Sequence, residues 1–249
     1  MRWAAVVLAI AAAAACSPSS SPSASDDDFA VIPGLGATRI DVPRPTGPAP
    51  ATCEPVAAGP TGGQSIQQRV AGLRGIGFFA DRAGTDAEIA GHIKKQIEAD
   101  FGAPPAATDP FIDLLVAATD VSRVWWGDLE ADVDEANAVY ASVLEEWGAI
   151  SSGAFAPTGI EETWDSPTGP VSISLTTGDR SLELQPEYLE DWIDPRILTP
   201  VNDVIAASGR QFELYRAFDQ TLFLVALTPG EKRALEKDRG WCFEWPSSG

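Results

Sequence analysis

The sequence predicts an α+β fold in a single domain, with a helix-rich first half followed by antiparallel hairpins and a meander. Two observations lead to this prediction. Apolar residues recur every three or four positions through most of residues 64–147, and every second position through much of 160–227. Elements grouped by type in this way favour α+β packing over an alternating α/β arrangement. The alternative is a pair of small subdomains that divide near residue 155.

The helices expected in the first half are marked by their ends as well as by their period. A short helix is expected over residues 64–73, followed by a strand over 75–80. Thr85 and Glu88 then form a capping box, in which a hydroxyl and a carboxylate each satisfy a free backbone N–H at a helix start. The helix that they open is expected to end at Gly102, because glycine readily adopts the conformation that stops a helix.

Two more helices and a strand complete the first half. Asp109 is expected to open a helix, and residues 121–126 are expected to form a strand. Apolar residues between 136 and 147 follow the i, i+3, i+4 spacing of an amphipathic helix, with Asp132 as its cap and Gly148 as its end.

The second half is expected to be mostly antiparallel. Three alternating segments separated by turn residues predict a meander, and two longer ones predict a hairpin across Asp219 and Gln220. Thr199 is expected to cap a helix that ends at Gly209, and Thr228 to cap the last helix. The expected strands are 160–164, 171–176 and 181–185 in the meander, 211–218 and 221–227 in the hairpin, and 241–245 at the end.

The start of the chain is typical of an export signal. Arg2 precedes an unbroken apolar run over residues 4–15, and Cys16 follows the run directly. A basic start, an apolar core and a small-residue exit indicate a secretory signal, and the run is shorter than the about 20 residues that span a bilayer. Because the exit ends on cysteine, this start resembles a bacterial lipoprotein precursor whose lipobox is 13–16.

The resemblance implies that Cys16 becomes the first mature residue and carries acyl chains. More than one chain would anchor the protein stably to the outer face of a bacterial membrane, in the cell envelope. Cleavage without acylation would instead leave the protein secreted. The expected organisation is a signal peptide over 1–15, a disordered tether over 16–28, a Pro/Gly-rich arm over 29–63 and the α+β domain over 64–245.

The two remaining cysteines, Cys53 and Cys242, form an even pair in an exported chain, which predicts a disulfide between them. Such a bridge would enclose nearly the whole folded region and stabilise it by roughly 5 kcal/mol through loop entropy. The alternative is two unrelated buried thiols.

The chain is strongly acidic, with 17 basic and 36 acidic side chains and a net charge of −19. Loss of residues 1–15 removes Arg2 as the one charged residue and leaves a net charge of −20. Such a charge repels nucleic acid and anionic lipid, so neither is expected as a direct partner, whereas a basic protein is permitted. It is also an ordinary charge for a soluble exported protein. The sequence implies no cofactor.

Few residues carry the signature of a reaction or a metal site. His92 is the only histidine, lies near the water boundary of its helix and has no nucleophile motif beside it, so we expect a surface residue. The acidic run 128–135 lacks the central glycine and the spaced glutamate of a helix–loop–helix calcium site. We therefore expect its carboxylates to serve the following helix start, and no metal.

The aromatic pair Trp125 and Trp126 is the main candidate for a binding site, together with Asp128 and Glu130. Adjacent side chains of a strand point to opposite faces, so both indoles are buried only if both faces of the strand are covered. If one face is open, one indole is exposed beside carboxylates and suits sugar stacking or a protein contact. We expect this strand end to line the main concavity, with at least one ring accessible.

Three functions from different classes follow. The first is a non-catalytic binding lipoprotein that captures a protein or an envelope glycan. The second is a glycan hydrolase that uses two carboxylates across a cleft, with Asp128, Glu130, Glu161 and Glu162 as candidates. The third is an immunity-type protein that neutralises a basic toxin by charge. We favour binding, because no catalytic pattern accompanies the carboxylates.

Overall fold

The computed structural model describes residues 59–109, 111–218 and 221–245, and it confirms a mixed α+β fold in a single domain. The helices are α1 Ile66–Arg74, α2 Asp86–Phe101, α3 Ile112–Ala118, α4 Val139–Ile150, α5 Leu198–Ile205 and α6 Pro229–Arg239. The strands are β1 Val124–Asp128, β2 Pro157–Trp164, β3 Val171–Thr177, β4 Arg180–Leu184, β5 Gln211–Phe218, β6 Thr221–Leu227 and β7 Phe243–Trp245.

The strands form two antiparallel sheets. A four-stranded sheet has the order β1-β6-β5-β7, and a three-stranded sheet has the order β2-β3-β4. Strand β1 lies against β6 with Trp126 opposite Phe223, although the two are almost a hundred residues apart in the chain. The expected meander is the three-stranded sheet, and the expected hairpin is β5 and β6.

The four-stranded sheet separates two hydrophobic cores. Strand β6 is buried along its whole length, and its alternate residues belong to different cores. Leu224 faces the core formed with α4, α5 and the three-stranded sheet, which we call the meander-side core. Phe223 and Val225 face the core formed with α1, α2, α3 and α6, which we call the helical-side core. A strand covered on both faces reads as a continuous apolar run, and β6 does so.

Capping boxes open three helices, and two of these caps, Thr85 and Thr228, were predicted. Ser65, Thr85 and Thr228 each cap a helix with a complete capping box, and the Thr85 helix ends at Gly102 in the left-handed conformation. The helix opened by Thr228 ends in the same way at Gly240.

The strand expected over residues 75–80 is wrong, because the segment is a series of turns. Gly77 has a φ of +104°, and Phe79 is also left-handed with a φ of +56°. The Phe79 N–H donates to the buried carboxylate of Asp120 at 2.5 Å instead of to a neighbouring strand. Both Phe78 and Phe79 are buried in the helical-side core, so the apolar run packs without pairing.

The ends expected for the Tyr140 helix are also wrong. Asp132 does not cap α4, because turns lie between it and the helix start; in one of them Asp134 accepts from the Ala136 N–H at 2.7 Å. The helix begins at Val139 and passes Gly148 to reach Ile150. A Cβ at Gly148 would lie 2.8 Å from Pro157, so this glycine allows β2 to approach the helix rather than ending it.

Smaller differences lie at other element ends. Strand β1 covers 124–128 rather than 121–126, and β7 covers 243–245 rather than 241–245. Helix α5 begins before Thr199, after a short 3-10 turn that is capped by Asp194. The expected signal, Cys16, the tether, Cys53 and most of the arm lie outside the described residues. Within the described ranges, no helix is both long and apolar enough to cross a membrane.

Candidate functional site

Trp125 and Trp126 are both buried, each 9% exposed, so the expectation of an accessible indole at this pair is wrong. Trp125 belongs to the meander-side core and Trp126 to the helical-side core, because β1 is covered on both faces. Trp125 packs edge-to-face on Trp147 at 6.0 Å between ring centroids, and Trp126 packs on Phe223 at 5.5 Å. The two indoles therefore stabilise the two cores and do not form an exposed binding site.

The candidate carboxylates do not behave as one group. Both oxygens of Glu162 are engaged: Oε2 accepts from the Ala141 N–H at 3.3 Å and Oε1 accepts from the Trp164 indole at 3.0 Å. Glu162 thus serves the start of α4, which has no side-chain cap of its own. Glu161 is exposed on β2, where adjacent side chains point to opposite faces.

Glu130 lies opposite a different tryptophan, Trp192, and Asp128 contacts the backbone of Glu130. The short segments 129–131 and 191–193 pair as antiparallel strands, with Glu130 directly opposite Trp192. The Ala131 N–H donates to the Asp191 carbonyl, and the Ile193 N–H donates to the Leu129 carbonyl, each at 2.8 Å.

This pattern makes Glu130 and Trp192 a non-hydrogen-bonded pair, in which opposite side chains lie on the same face and come closest together. Asp128 supports the arrangement, because its Oδ1 accepts from the Glu130 N–H at 3.0 Å. Trp192 is 38% exposed, whereas the indoles of β1 are buried. We call the group of Trp192, Glu130, Glu190 and Asp191 the Trp192 surface.

The Trp192 surface is held in place from below by a buried polar contact. Tyr140 is fully buried on α4, and its hydroxyl accepts from the Asp194 N–H at 3.0 Å. Burial raises the pKa of Tyr140 well above its ordinary value, so the phenol stays neutral. The Asp194 carboxylate in turn accepts from the Glu187 N–H at 2.9 Å and from Arg196 Nε at 2.7 Å.

An open depression of ≈ 410 Å³ lies at the same loop, beside the Asp194–Arg196 pair. Its lining residues are Gln185, Glu187, Asp194, Arg196, Ile197 and Pro200. The Arg196 guanidinium lies between two carboxylates, those of Asp194 and Glu187. Its charge is therefore already balanced inside the loop.

The two stretches that contain the paired segments, residues 128–135 and 187–194, carry only negative side-chain charge. Residues 128–135 contain five acidic side chains and residues 187–194 contain four, and neither segment contains a lysine or an arginine. Within the described ranges, no three His, Cys, Asp or Glu side chains converge in a way that could hold a metal ion. The exposed acids next to Trp192 are Glu130, Glu190 and Asp191.

His92 is exposed, as expected, and lies in a second open depression of ≈ 480 Å³ on α2. Glu88 and Lys95 line the same depression. The Glu88 carboxylate is occupied by the capping box, and its hydrogen bond from the Thr85 N–H lowers its pKa. This depression offers no arranged pair of free groups for catalysis.

Sequence reasoning missed Trp192. The signal that could have found it is an aromatic residue inside the charged run Glu190-Asp191-Trp192-Ile193-Asp194, outside every expected helix or strand. A large aromatic residue in such a context has no periodic partner with which to be buried, which favours exposure. Its pairing with Glu130 has no local signal.

Comparison with known proteins adds no relative. No protein family model, no curated protein and no solved structure matches this chain.

Proposed function

We propose that this chain is an exported, lipid-anchored bacterial envelope protein whose folded domain is a non-catalytic binding module. The Trp192 surface is the contact that carries the proposal, because it combines an exposed indole with carboxylates on a supported loop. Aromatic residues of this kind contribute much of the binding energy at protein interfaces. The Tyr140–Asp194 hydrogen bond holds the loop, so little order has to be gained on binding.

The anchoring part of the proposal comes from the first residues of the sequence. Arg2, the apolar run 4–15 and Cys16 are typical of a lipoprotein precursor. The tether that follows Cys16 is rich in serine, proline and aspartate, and this composition favours an extended linker. A folded binding module on such a linker samples a large volume around its membrane.

A disulfide between Cys53 and Cys242 is part of the same proposal. Cys242 is bonded rather than free. It follows Trp241, whose indole belongs to the helical-side core. A bridge from Cys242 to Cys53 would tie the arm to that core, and intact-mass measurement before and after alkylation without reductant tests it.

The hydrolase alternative has weaker support. Glu162 is engaged with α4 and Trp164, and Asp128 is engaged with the Glu130 N–H. A general acid or base needs a carboxylate that is free to reach the scissile bond.

Two measurements test the proposed function. The full-length protein should enter the detergent phase after phase separation, and Cys16→Ser should move it to the aqueous phase. A photo-crosslinking amino acid at Glu190 should give adducts with an envelope component in intact cells, and the same probe at Glu183, on β4, should not. Aqueous wild-type protein would contradict the anchor, and equal adducts at both positions would contradict the contact.

A further inference from the structure

We infer that the Trp192 surface binds a basic protein segment, with a lysine or arginine side chain of that segment against the indole of Trp192 and beside the carboxylate of Glu130. This inference rests on the proposed function and names the chemistry of its partner.

The first argument is the geometry of the pair. Glu130 and Trp192 are opposite residues of a non-hydrogen-bonded antiparallel pair, and their side chains share one face. A carboxylate beside an exposed indole attracts a cation in two ways, by its charge and by the negative face of the ring. The aliphatic stem of lysine or arginine can also cover apolar ring surface.

The second argument is the absence of a competing cation within the two paired segments. The basic residues nearest along the chain are Arg123 and Arg196; Arg123 is bound to Glu231, and Arg196 to Asp194 and Glu187. Glu190 and Asp191 are exposed beside Trp192. The two segments therefore contribute exposed carboxylates and no cation of their own around one exposed aromatic ring, which a basic partner complements.

The third argument separates a basic protein from a neutral glycan. A neutral sugar would stack on Trp192 but would gain nothing from the long-range field of the flanking acids. A basic segment uses both the ring and the field, and the net charge of −19 steers it toward the protein. The surface thus favours the charged partner.

The inference is tested on the mature domain with its disulfide intact. The probes are a fluorescein-labelled hexa-arginine peptide and, as the neutral alternative, a chitin hexasaccharide, and binding is followed by anisotropy or calorimetry. We expect the peptide to bind and the sugar not to bind. Trp192→Ala should weaken peptide binding about fivefold, and Trp192→Phe should weaken it less, because an exposed cation–π contact of about 1 kcal/mol corresponds to about that factor.

The matched control separates the site from general attraction to an acidic protein. Glu130→Gln and Glu183→Gln remove the same charge, but Glu183 is exposed on β4, where it lies opposite Ser174 rather than in the pair of Glu130 and Trp192. We expect Glu130→Gln to weaken binding at least threefold and Glu183→Gln less than twofold, with unchanged melting temperatures.

Three results would overturn the inference: equal losses in the two glutamine variants, binding unaffected by Trp192→Ala, or no peptide binding at low salt. Sugar binding that depends on Trp192 would also overturn it, while leaving the proposed binding function intact. Loss of the Glu190 adducts in cells would instead count against the proposed function itself.

Discussion

Two almost fully buried aspartates, Asp113 and Asp194, lie beside different cores and are stabilised in different ways. Asp113, on α3 beside the helical-side core, is 2% exposed, and Asp194, under the Trp192 surface, is 3% exposed. The Asp113 carboxylate binds two guanidinium groups, those of Arg69 and Arg239, and accepts from the Trp241 indole at 2.8 Å. Both guanidinium groups are buried with it.

Asp194 has instead one arginine partner that remains in contact with water. The side chain of Arg196 is 42% exposed, and two backbone N–H groups, those of Glu187 and Arg196, satisfy the rest of the carboxylate. The difference teaches that burial of an aspartate alone does not define its contribution. Asp113 is the counter-charge of a buried ionic cluster, and Asp194 is a local cap that shapes a surface loop.

We call Asp113, Arg69 and Arg239 the Asp113 cluster; it contains two guanidinium groups and one carboxylate. Burial lowers the pKa of Arg69, the charge of Asp113 acts to raise it, and the second guanidinium of Arg239 adds to the lowering. Arg69 further donates to the carbonyls of Thr61 at 2.9 Å and Ala107 at 2.8 Å. These contacts attach the segment before α1 and the segment before α3 to the same cluster.

The largest expected effect is the loss of Asp113. Asp113→Asn should lower the free energy of unfolding by about 3–5 kcal/mol, because it leaves two guanidinium groups buried without a counter-charge. Asp194→Asn should cost about 1–2 kcal/mol, because its arginine can be hydrated and the amide oxygen still accepts. Urea denaturation of both variants measures the difference. Equal losses would mean that the two carboxylates contribute in the same way.

The next prediction tests whether close packing around the Asp113 cluster contributes to stability. A Cβ at Gly72 would lie 2.3 Å from Arg239 Nη1, whereas a Cβ at Gly91 would meet nothing within 4 Å. Gly72→Ala should therefore destabilise by about 1–3 kcal/mol, because it displaces the guanidinium from Asp113.

Gly91→Ala is the control, since the glycine is exposed in the middle of α2. It should stabilise the protein by about 0.5–1 kcal/mol through helix propensity. Thermal unfolding of the two variants gives the sign directly, and a stabilising Gly72→Ala would show that the Arg239 contact is adjustable.

A third test extends the comparison to two carboxylates with opposite pKa shifts. Burial acts to raise the pKa of Glu231, but the Thr228 N–H and Arg123 outweigh it, so the pKa is lowered. Burial raises the pKa of Glu213, which Lys232 only partly offsets.

The stability from Glu231 is present above its unfolded pKa and is lost as the pH falls through the folded value. The stability from Glu213 is present below its unfolded pKa and is lost as the pH rises through the folded value. Relative to the wild type, Glu231→Gln should therefore lose less stability on acidification, and Glu213→Gln should lose more. Urea denaturation from pH 7 to 3 measures both slopes, and parallel curves would contradict the assignment.

The smallest expected effect compares the two cores at adjacent residues. The Trp125 indole donates to Glu146 Oε2 at 2.7 Å, whereas the Trp126 indole N–H has no hydrogen-bond partner among the described residues. Trp125→Phe should cost about 1 kcal/mol more than Trp126→Phe, because it removes a hydrogen bond to a charged group. Denaturation curves of the two variants decide it; a larger loss at Trp126 would mean that packing against Phe223 dominates.

The elements that the sequence predicted correctly are those with local signals. The Thr85 and Thr228 capping boxes involve groups within one helical turn, and the β5–β6 hairpin joins neighbours in the chain. The predictions that failed depended on distant partners. Glu162 of β2, and not Asp132, accepts from a backbone N–H at the start of α4. The segment 75–80 forms turns instead of pairing with another strand.

The candidate site shows the same division. Asp128 and Glu130 were recognised as acidic residues after a strand, but their partner was taken to be the neighbouring Trp125 or Trp126. The structure covers those two indoles with a core on each face and brings Trp192 beside Glu130 from a loop about sixty residues later. Trp192 is exposed and Trp125 and Trp126 are buried because of how the sheets and helices pack on one another, which the local sequence does not show.

The sequence by itself determined the α+β class, the helix starts at Thr85 and Thr228 and the β5–β6 hairpin, because these depend on residues within a few positions of one another or on neighbouring segments. Only the tertiary structure decided that both faces of the central sheet are covered and that segments 129–131 and 191–193 pair. Such contacts depend on how whole elements share buried area, and no pattern along the chain encodes which distant segment supplies the partner.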